Sequence, residues 1–208
     1  MATPLFSLLV PVKDGGGAKT RLGAVGPAGR ADLMAAFARD AITAARRTTL
    51  AEVYVVGDPG TLSSFAADLD VAVLPDEGDG DLNQALRRAA ALVARPGRGL
   101  AVMLADLPCL RTEDLDQALG RAGRAFVADA AGTGTTLLMT PEGTDLDPHF
   151  GAGSAASHAA SGAVPVAGAL TSLRRDVDTT EDLEQAVREG VGRHTAAALE
   201  RLGLARPG

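Results

Sequence analysis

Several residue types are scarce in this 208-residue sequence, and each scarcity excludes a class of function. There is no tryptophan and only one tyrosine, Tyr54, so the chain offers no aromatic surface on which single-stranded nucleic acid could stack. Its one cysteine, Cys109, excludes an intrachain disulfide framework and is typical of a reducing cytoplasm. No run of about 18 apolar residues occurs, and no basic stretch precedes an apolar one at the N-terminus. We therefore expect a soluble, cytoplasmic protein.

Positive charge is also scarce. With 20 Lys and Arg against 26 Asp and Glu, the formal net charge is −6 and the pI is about 5.0. An acidic protein is poorly suited to bind nucleic acid or an anionic membrane, so we expect neither as a partner. Hydrophobic residues make up 46% of the chain, a globular value, and its length is most simply that of one domain, 1–208. The oligomeric state stays open between a monomer and a homodimer.

Strand-like and helix-like segments alternate along the chain. Apolar runs predict strands at 5–12, 52–57, 71–75, 99–105, 125–129, 135–140 and 163–168. Helical spacing predicts a helix that begins at Pro27, a short one over about 61–69 and a third over 81–94, for which Asp81 is the expected N-cap. A further helix is expected to begin with Thr112 as its N-cap, and two more helical stretches follow Asp178. Because the strands are apolar on both faces, these units predict a mostly parallel sheet with helices on both sides, a three-layer α/β/α fold.

Both lysines of the chain, Lys13 and Lys19, fall in one segment after the first predicted strand, VPVKDGGGAKTRL at 10–22. Glycines such as Gly17 let the backbone approach a ligand and turn its N–H groups inward, while lysine supplies a mobile positive charge. With Arg21, these residues predict a nucleotide-binding loop that holds phosphates. An ordinary glycine-rich turn is the alternative interpretation.

Isolated aspartates follow several predicted strands. Ligands of open α/β sheets bind at the carboxyl ends of the strands, where this chain places Asp106, Asp129 and, in a late segment, Asp176 and Asp178. Carboxylates beside phosphate-binding groups are what a metal–triphosphate ligand needs. Asp106 directly follows the most apolar strand, which favours a metal ligand over a turn or capping residue. For Asp178, capping of the following helix is an open alternative.

The histidines and the cysteine show no catalytic pattern. His149, His158 and His194 have neither metal-ligand spacing nor an obvious partner, so we expect structural roles for all three. Cys109 has no nearby histidine and is expected to be a small buried side chain rather than a nucleophile.

Two common nucleotide-binding motifs are absent from the loop after the first strand. The P-loop requires glycine at the positions that here hold Lys13 and Ala18. A dinucleotide-binding G-x-G-x-x-G is absent there as well. The loop is therefore of a different kind.

The segment PVK…AKTRL resembles the signature loop of nucleotidyltransferases with a glycosyltransferase-A-like (MobA-like) fold. Five further segments resemble one branch of that superfamily, the 2-phospho-L-lactate / phosphoenolpyruvate guanylyltransferases of coenzyme F-420 biosynthesis. They are LNQAL (82–86), LADLP (104–108), FVAD…GTGTT (126–136), HFGAGSAASHAASGA (149–163) and LRRDVDTTEDL (173–183). The resemblance runs from about residue 8 to residue 191 and implies the MobA-like fold. One departure is the run of glycines at 15–17, since the loop of the family often has fewer.

The resemblance implies that GMP is transferred from GTP to the phosphate of phosphoenolpyruvate or 2-phospho-L-lactate, with release of pyrophosphate and Mg²⁺ as cofactor. Lys19 and Asp106 are the catalytic residues that it implies. The full set of implied contacts is Lys13, Lys19 and Arg21 for the GTP phosphates, Leu82 and Asn83 near guanine or ribose, Asp106 and Asp178 for magnesium, and Thr135, Gly151 and Ser154 for the acceptor.

The implied chemistry agrees with the lack of a catalytic pair. A phosphate oxygen is already ionised at neutral pH and needs no general base, so catalysis can depend on alignment and on neutralisation of charge. A helix beginning after Gly151 would add a favourable dipole for the anionic acceptor.

Three alternatives stay open at this point. They are a molybdenum-cofactor-type or other nucleotidyltransferase of the same fold, a non-catalytic nucleotide-binding protein, and a small-molecule kinase, which the failed P-loop pattern disfavours. The choice between phosphoenolpyruvate and 2-phospho-L-lactate depends on one or two contacts that the sequence does not expose. The composition, rich in Ala, Gly and Arg, favours phosphoenolpyruvate through family analogy only.

Overall fold

The computed structural model describes residues 5–12 and 25–204. Within these ranges no helix is both long enough and apolar enough to cross a bilayer. The described elements are, in chain order, β1 (Phe6–Pro11), α1 (Pro27–Ala45), β2 (Ala51–Gly57), α2 (Pro59–Asp68), β3 (Ala72–Pro75), α3 (Leu82–Val93), β4 (Gly99–Met103), α4 (Thr112–Leu119), β5 (Ala125–Ala128), β6 (Thr135–Thr140), α5 (Ser154–Ala160), β7 (Val164–Pro165), α6 (Thr171–Arg174), α7 (Thr180–Glu189) and α8 (Arg193–Arg201).

The described strands form one sheet in the order β3-β2-β1-β4-β6-β5-β7. The pairs β1–β2, β1–β4, β2–β3 and β5–β7 are parallel, whereas β6 runs antiparallel to both of its neighbours, β4 and β5. The predicted mostly parallel sheet is therefore confirmed. The reversal of β6 brings its amino end to the edge of the sheet where β1 to β5 have their carboxyl ends.

Helices cover both faces of the sheet, and β1 shows why. Leu8 and Val10 pack in one apolar cluster with Ile42 of α1, while Leu9 between them packs in a second cluster with Leu86 of α3. All five side chains are fully buried. Successive side chains of a strand point to opposite faces, so an unbroken apolar run requires helices on both sides. The predicted three-layer arrangement is confirmed.

A third apolar cluster joins the C-terminal helices to α1. It contains Leu33 and Phe37 of α1 together with residues of α7 and α8. Asp40 of α1, only 7% exposed, accepts hydrogen bonds from the N–H groups of His194 and Thr195, at 3.0 and 2.8 Å. These N–H groups belong to the first turn of α8 and have no partner within that helix, so Asp40 caps α8 from a distant part of the chain.

Two sequence predictions about element ends are wrong. Thr112 is the first residue of α4 and not its cap, which is Arg111, and the Thr112 hydroxyl donates instead to the carbonyl of Ala44 at 2.9 Å. The extended backbone that a capping residue adopts falls at Arg111, so Thr112 already lies in the first turn. The strand predicted over 163–168 is reduced to Val164–Pro165, although the N–H of Val166 still donates to the carbonyl of Phe126 at 2.8 Å.

Candidate active site

The carboxyl ends of β4 and β5 meet the amino end of β6 at one edge of the sheet. The N–H of Leu104, directly after β4, donates to the carbonyl of Thr136 at 2.9 Å. On the other side of β6, Ala128 at the end of β5 pairs with Thr135. Asp106, which follows β4, and Thr135, which begins β6, therefore lie at the same edge and on adjacent strands.

Asp106 and Asp178 lie on neighbouring backbone segments. Asp106 is half-buried, and its backbone carbonyl accepts from the N–H of Val177 at 3.1 Å, next to the exposed Asp178. Helix α7 is capped by Thr179: its hydroxyl accepts from the N–H of Asp182, and the Asp182 carboxylate accepts from the N–H of Thr179. Capping is therefore not the role of the Asp178 side chain, and that alternative is removed. Asp106 is not the capping residue of any of the described helices.

This pair of carboxylates suits one kind of metal site. Among residues 5–12 and 25–204, no group of three or more His, Cys, Asp or Glu side chains is arranged to hold a metal ion. Mg²⁺ needs fewer protein ligands, because it keeps several waters and takes oxygens from substrate phosphates beside one or two carboxylates. Asp106 and Asp178 are that many carboxylates on neighbouring segments, and their role as ligands stays a prediction. The donor set therefore fits a magnesium–nucleotide complex better than a metal held by protein alone.

The turn between β5 and β6 is organised by the carboxylate of Asp129. Its Oδ1 accepts from the N–H of Thr133 at 2.9 Å and its Oδ2 from the N–H of Gly134 at 2.7 Å. A Cβ at Gly134 would lie 2.4 Å from Oδ2, and Gly132 has φ of +75°, which favours glycine. The sequence D-x-x-G-T-G therefore specifies this turn, which delivers Thr135 to the edge of the sheet. Asp129, a candidate strand-end carboxylate, is engaged by the turn itself.

A buried histidine links this turn to the segment that precedes Gly151. The Oγ1 of Thr135 lies 2.9 Å from Nδ1 of His158, and Nε2 of the same ring accepts from the N–H of His149 at 2.9 Å. His158 is fully buried, and the ring of Phe150 packs edge-on against it at 5.1 Å. Burial lowers the pKa of His158 to about 4, so the ring is neutral near pH 7. The ring thus has two specific partners that the sequence did not reveal.

The three predicted acceptor residues lie in one cluster. Gly151 has φ of +138°, in the range that favours glycine, and its carbonyl accepts from the N–H of Ser154 at 3.1 Å. Ser154 begins α5 and is 2% exposed. The N–H of Ala155 donates to the carbonyl of Thr133 at 3.1 Å, which joins the start of α5 to the turn before Thr135. The chain thus places hydroxyl and backbone groups from two separate segments side by side.

Helix α3 begins beside the same segment. Asp81 caps it, as predicted, and accepts from the N–H groups of Asn83 and Gln84 at 2.8 and 3.3 Å. The Asn83 side chain exchanges two hydrogen bonds with the backbone of Phe150: Oδ1 accepts at 2.7 Å and Nδ2 donates at 2.9 Å. Leu82 is half-buried and packs on the cluster that contains Phe150. Asn83, expected near guanine or ribose, is therefore tied to the segment that carries the predicted acceptor residues.

The predicted phosphate-binding residues Lys13, Gly17, Lys19 and Arg21 lie outside the described residues. The described chain ends at Val12, just beyond the carboxyl end of β1, and resumes at residue 25. The roles of these four residues stay predictions.

The cysteine is structural, as predicted. Cys109 is 6% exposed, and its thiol donates to the carbonyl of Ala186 at 3.2 Å. Burial raises the pKa of Cys109 to about 12, so the reactive thiolate is essentially absent at neutral pH. Cys109 is therefore no nucleophile.

Two links were missed by sequence reasoning, the His158 ring and the Asn83 side chain. One signal for His158 was available: it lies four residues after Ser154, which puts both on one face of a helix, and both are buried. No comparable signal exists for the Asn83–Phe150 pair, because its members belong to distant segments that only the folded chain brings together.

The fold is that of an α/β nucleotidyltransferase. A protein of Desulfovibrio desulfuricans assigned as a nucleotide-diphospho-sugar transferase has a similar structure, with a TM-score of 0.75 at 21% identity, covering 97% of this chain and 96% of that one. A cytidylyltransferase of Leptospira borgpetersenii is similar with a TM-score of 0.58 at 13% identity, covering 96% and 94% of the two chains. At such identities the likeness shows the fold, and it confirms the predicted MobA-like class.

Sequence relatives narrow the class to one family. This chain is 46% identical over 211 residues to the phosphoenolpyruvate guanylyltransferase of Thermomonospora curvata, covering 98% of this chain and 92% of that protein. It is 45% identical over 208 residues to the protein of that name from Streptomyces coelicolor, covering 96% and 98%. The family described as "Guanylyl transferase CofC like" matches residues 6–206. The chain belongs to this family, which confirms the resemblance drawn from its motifs.

Proposed function

We propose that this protein transfers GMP from GTP to the phosphate of phosphoenolpyruvate and releases pyrophosphate, a step of coenzyme F-420 biosynthesis. One observation supports the proposal: the three predicted acceptor residues lie at the same sheet edge as Asp106, whose backbone is hydrogen-bonded to the segment that carries Asp178. The cluster suits a small anion, and the carboxylate pair suits a metal–triphosphate. Phosphoenolpyruvate is preferred to 2-phospho-L-lactate because the two relatives described above carry its name.

The reaction requires little covalent chemistry from the protein. A phosphate oxygen of the acceptor forms a bond to the α-phosphorus of GTP, and the bond from that phosphorus to the oxygen bridging to the β-phosphorus breaks. The electron pair leaves with pyrophosphate. Because the attacking oxygen is already ionised, the protein need only align the two groups and balance their charge. The neutral, buried His158 and the unreactive thiol of Cys109 agree with a reaction that needs neither base nor nucleophile.

The acceptor would be held by the cluster at the start of β6 and α5. Thr135 would donate its hydroxyl, and the backbone at Gly151 and the hydroxyl of Ser154 would donate to the carboxylate or the phosphate. The left-handed backbone of Gly151 lets an anion approach the main chain without a Cβ in the way. These three residues come from two segments joined by the Ala155–Thr133 hydrogen bond, so the cluster is preformed.

The nucleotide would be held by a second set of residues. Lys13, Lys19 and Arg21, with the backbone at Gly17, would bind the phosphates, and Lys19 would stabilise the charge that develops during transfer. Leu82 and Asn83, at the amino end of α3, would lie near guanine or ribose. Since an amide nitrogen carries two hydrogens, Asn83 retains a second N–H for this role beside its bond to Phe150.

Magnesium would be held by Asp106 and Asp178. When bound, the ion neutralises part of the charge of the triphosphate and of the departing pyrophosphate. Asp106 is half-buried, and its carbonyl is hydrogen-bonded to the N–H of Val177, the residue before Asp178. This bond holds the two aspartate-bearing segments together.

The test is the release of pyrophosphate from Mg-GTP with phosphoenolpyruvate, with 2-phospho-L-lactate and with no acceptor, in the presence of pyrophosphatase. Release that depends on phosphoenolpyruvate, with a product whose mass is the sum of GMP and the acceptor less water, supports the proposal. Release of GDP would indicate a kinase, and no release with either acceptor, alongside measurable GTP binding, would contradict the proposal.

A pair of matched variants sharpens this test. Asp106→Asn removes a carboxylate charge from the proposed metal site and should lower kcat by orders of magnitude. Asp145→Asn makes the same change at an exposed aspartate after β6, at the opposite edge of the sheet, and should leave kcat unchanged. An unmodified protein that binds GTP without turnover, together with an Asp106→Asn variant that only binds GTP more weakly, would instead indicate a non-catalytic binder.

We also infer that residues 1–208 act as one domain in the cytoplasm, as a monomer or homodimer, without nucleic acid or membrane partners. The single seven-stranded sheet supports one domain. The presence of a single cysteine in the sequence supports a reducing compartment. The net charge of −6 supports the absence of polyanionic partners.

A further inference from the structure

We propose that His158 is a positioning residue for the acceptor, because it fixes the Thr135 hydroxyl as a hydrogen-bond donor and anchors the backbone that leads to Gly151. The proposal rests on the acceptor site proposed above and deepens it. His158 is fully buried, lies on α5 and contacts a different chain segment with each ring nitrogen.

The hydrogen bonds define which ring nitrogen carries the proton. The main-chain N–H of His149 can only donate, so the Nε2 of His158 that it contacts at 2.9 Å must present a lone pair. The ring is neutral and therefore has one proton, which must be on Nδ1. Nδ1–H then donates to the Oγ1 of Thr135 at 2.9 Å.

This tautomer determines what Thr135 can do. Its hydroxyl oxygen accepts from His158, so its own hydrogen is available for another acceptor. Phosphoenolpyruvate presents only oxygen acceptors in its carboxylate and phosphate groups, so a site for it must present donors. With the opposite tautomer, the hydroxyl of Thr135 would donate to the ring and could not donate to the acceptor.

The same ring holds the polypeptide on the other side of the cluster. The N–H of His149 is bonded to His158 of α5, and the next residue, Phe150, is bonded twice to Asn83 of α3. The two residues that directly precede Gly151 are therefore attached to two different helices. The rings of Phe126 and Phe150, at 6.0 and 5.1 Å between centroids, exclude water from the imidazole.

Two substitutions separate the two contacts of the ring. In His158→Asn, the short amide places a donor near the position of Nδ1, which preserves the contact with Thr135 and loses the contact with His149. In His158→Gln, the longer amide reaches the position of Nε2 and loses the donor to Thr135. We expect the KM for phosphoenolpyruvate to rise about tenfold in His158→Gln, the effect of one lost hydrogen bond, and at most about threefold in His158→Asn. The KM for GTP should change by less than about twofold in both.

A merely structural histidine predicts a different result. Both variants would then lose stability and active fraction to a similar extent, with both KM values unchanged, and this outcome overturns the proposal. A double-mutant cycle adds a second criterion: in a Thr135→Val background, His158→Gln should not raise the KM for phosphoenolpyruvate further, because the hydroxyl that it orients is gone. Additive effects would contradict the role.

One measurement needs no variant. A long-range ¹⁵N–¹H correlation spectrum of the unmodified protein near pH 7 should show His158 protonated on Nδ1, and a proton on Nε2 would overturn the inference even if the variants fail to fold.

Failure of this inference can be distinguished from failure of the proposed function. Absence of turnover with phosphoenolpyruvate in the unmodified protein contradicts that function, whereas an active protein with an unchanged KM in His158→Gln contradicts only the role of His158.

Discussion

The substitution Asp129→Asn tests how strongly the turn before Thr135 depends on one carboxylate. Both oxygens of Asp129 accept main-chain N–H groups, from Thr133 and from Gly134, at 2.9 and 2.7 Å. Asparagine has the same shape but only one acceptor atom. Its NH₂ group must therefore face one of the two N–H donors, and one hydrogen bond is replaced by a contact between two donors.

The expected loss of stability follows from the loss of one hydrogen bond. A hydrogen bond to a charged group contributes about 1.5–3 kcal/mol, and the partial exposure of the turn favours the lower half of this range. For a chain of this length, each kcal/mol changes Tm by about 2–4 °C, so we expect Tm to fall by roughly 3–9 °C. Because the turn positions Thr135, the KM for phosphoenolpyruvate should rise while the KM for GTP stays within about twofold.

Thermal unfolding followed by circular dichroism, with steady-state kinetics for each substrate, measures both effects. Asp145→Asn is the matched control, since the same chemical change at an exposed loop aspartate should alter neither quantity. An Asp129→Asn variant with unchanged Tm and an unchanged KM for phosphoenolpyruvate would refute the reasoning that the carboxylate organises the turn.

Three further predictions concern buried groups. Asp40→Ala removes the cap of α8 and should lower the free energy of unfolding in urea by about 2 kcal/mol, and a change below about 0.5 kcal/mol would contradict the capping role. At pH 8, the thiol of Cys109, with a pKa of about 12, should react with iodoacetamide about a thousandfold more slowly in the native than in the urea-unfolded protein, and equal rates would contradict its burial. The folded-state pKa of His158, about 4, lies below the ordinary value of 6.5, so the stability that the neutral ring contributes is present above pH 6.5 and lost as the pH falls towards 4. Between pH 7 and pH 5 the loss should be about 2 kcal/mol in urea titrations, and the same loss in His158→Asn would assign it to other groups.

The architecture was predictable because the strands are continuous apolar runs, which require helices on both faces. The direction of β6 was not, since TTLLMT is apolar enough to be buried in either orientation and no local signal distinguishes them. Its direction matters for the site, because it brings Thr135 to the edge at which Asp106 lies. The direction of β6 is determined by the packing of the whole chain and not by its local sequence.

Capping residues show where local rules fail. Asp81 was predicted correctly, because no tertiary group competes for its carboxylate in the described contacts. Thr112 was predicted incorrectly, because the change from extended to helical backbone falls one residue earlier, at Arg111. Asp178 and Thr179 are adjacent capping candidates, and the capping box with Asp182 selects the threonine.

The members of the candidate site come from the family resemblance and their roles stay predictions, whereas the connections among the described members could not be predicted from the sequence. Thr135 lies beside Gly151 and Ser154, although the three residues come from two separate motifs. The link between them is the ring of His158, whose partners are a side chain on β6 and a main-chain N–H at His149. Such partners become neighbours only after folding. A histidine with no partner nearby in the sequence can therefore still have a specific role.

The most direct test of the central claim follows the oxygen that is proposed to attack. Phosphoenolpyruvate labelled with ¹⁸O in its phosphate group is incubated with Mg-GTP and the protein, and the products are examined by ³¹P NMR. We predict that one labelled oxygen bridges the two phosphorus atoms of the product, so that the signal of the GMP phosphorus shows the isotope shift and pyrophosphate remains unlabelled. A GMP phosphorus without ¹⁸O would contradict the account, because the attacking oxygen would then have come from water or from the carboxylate.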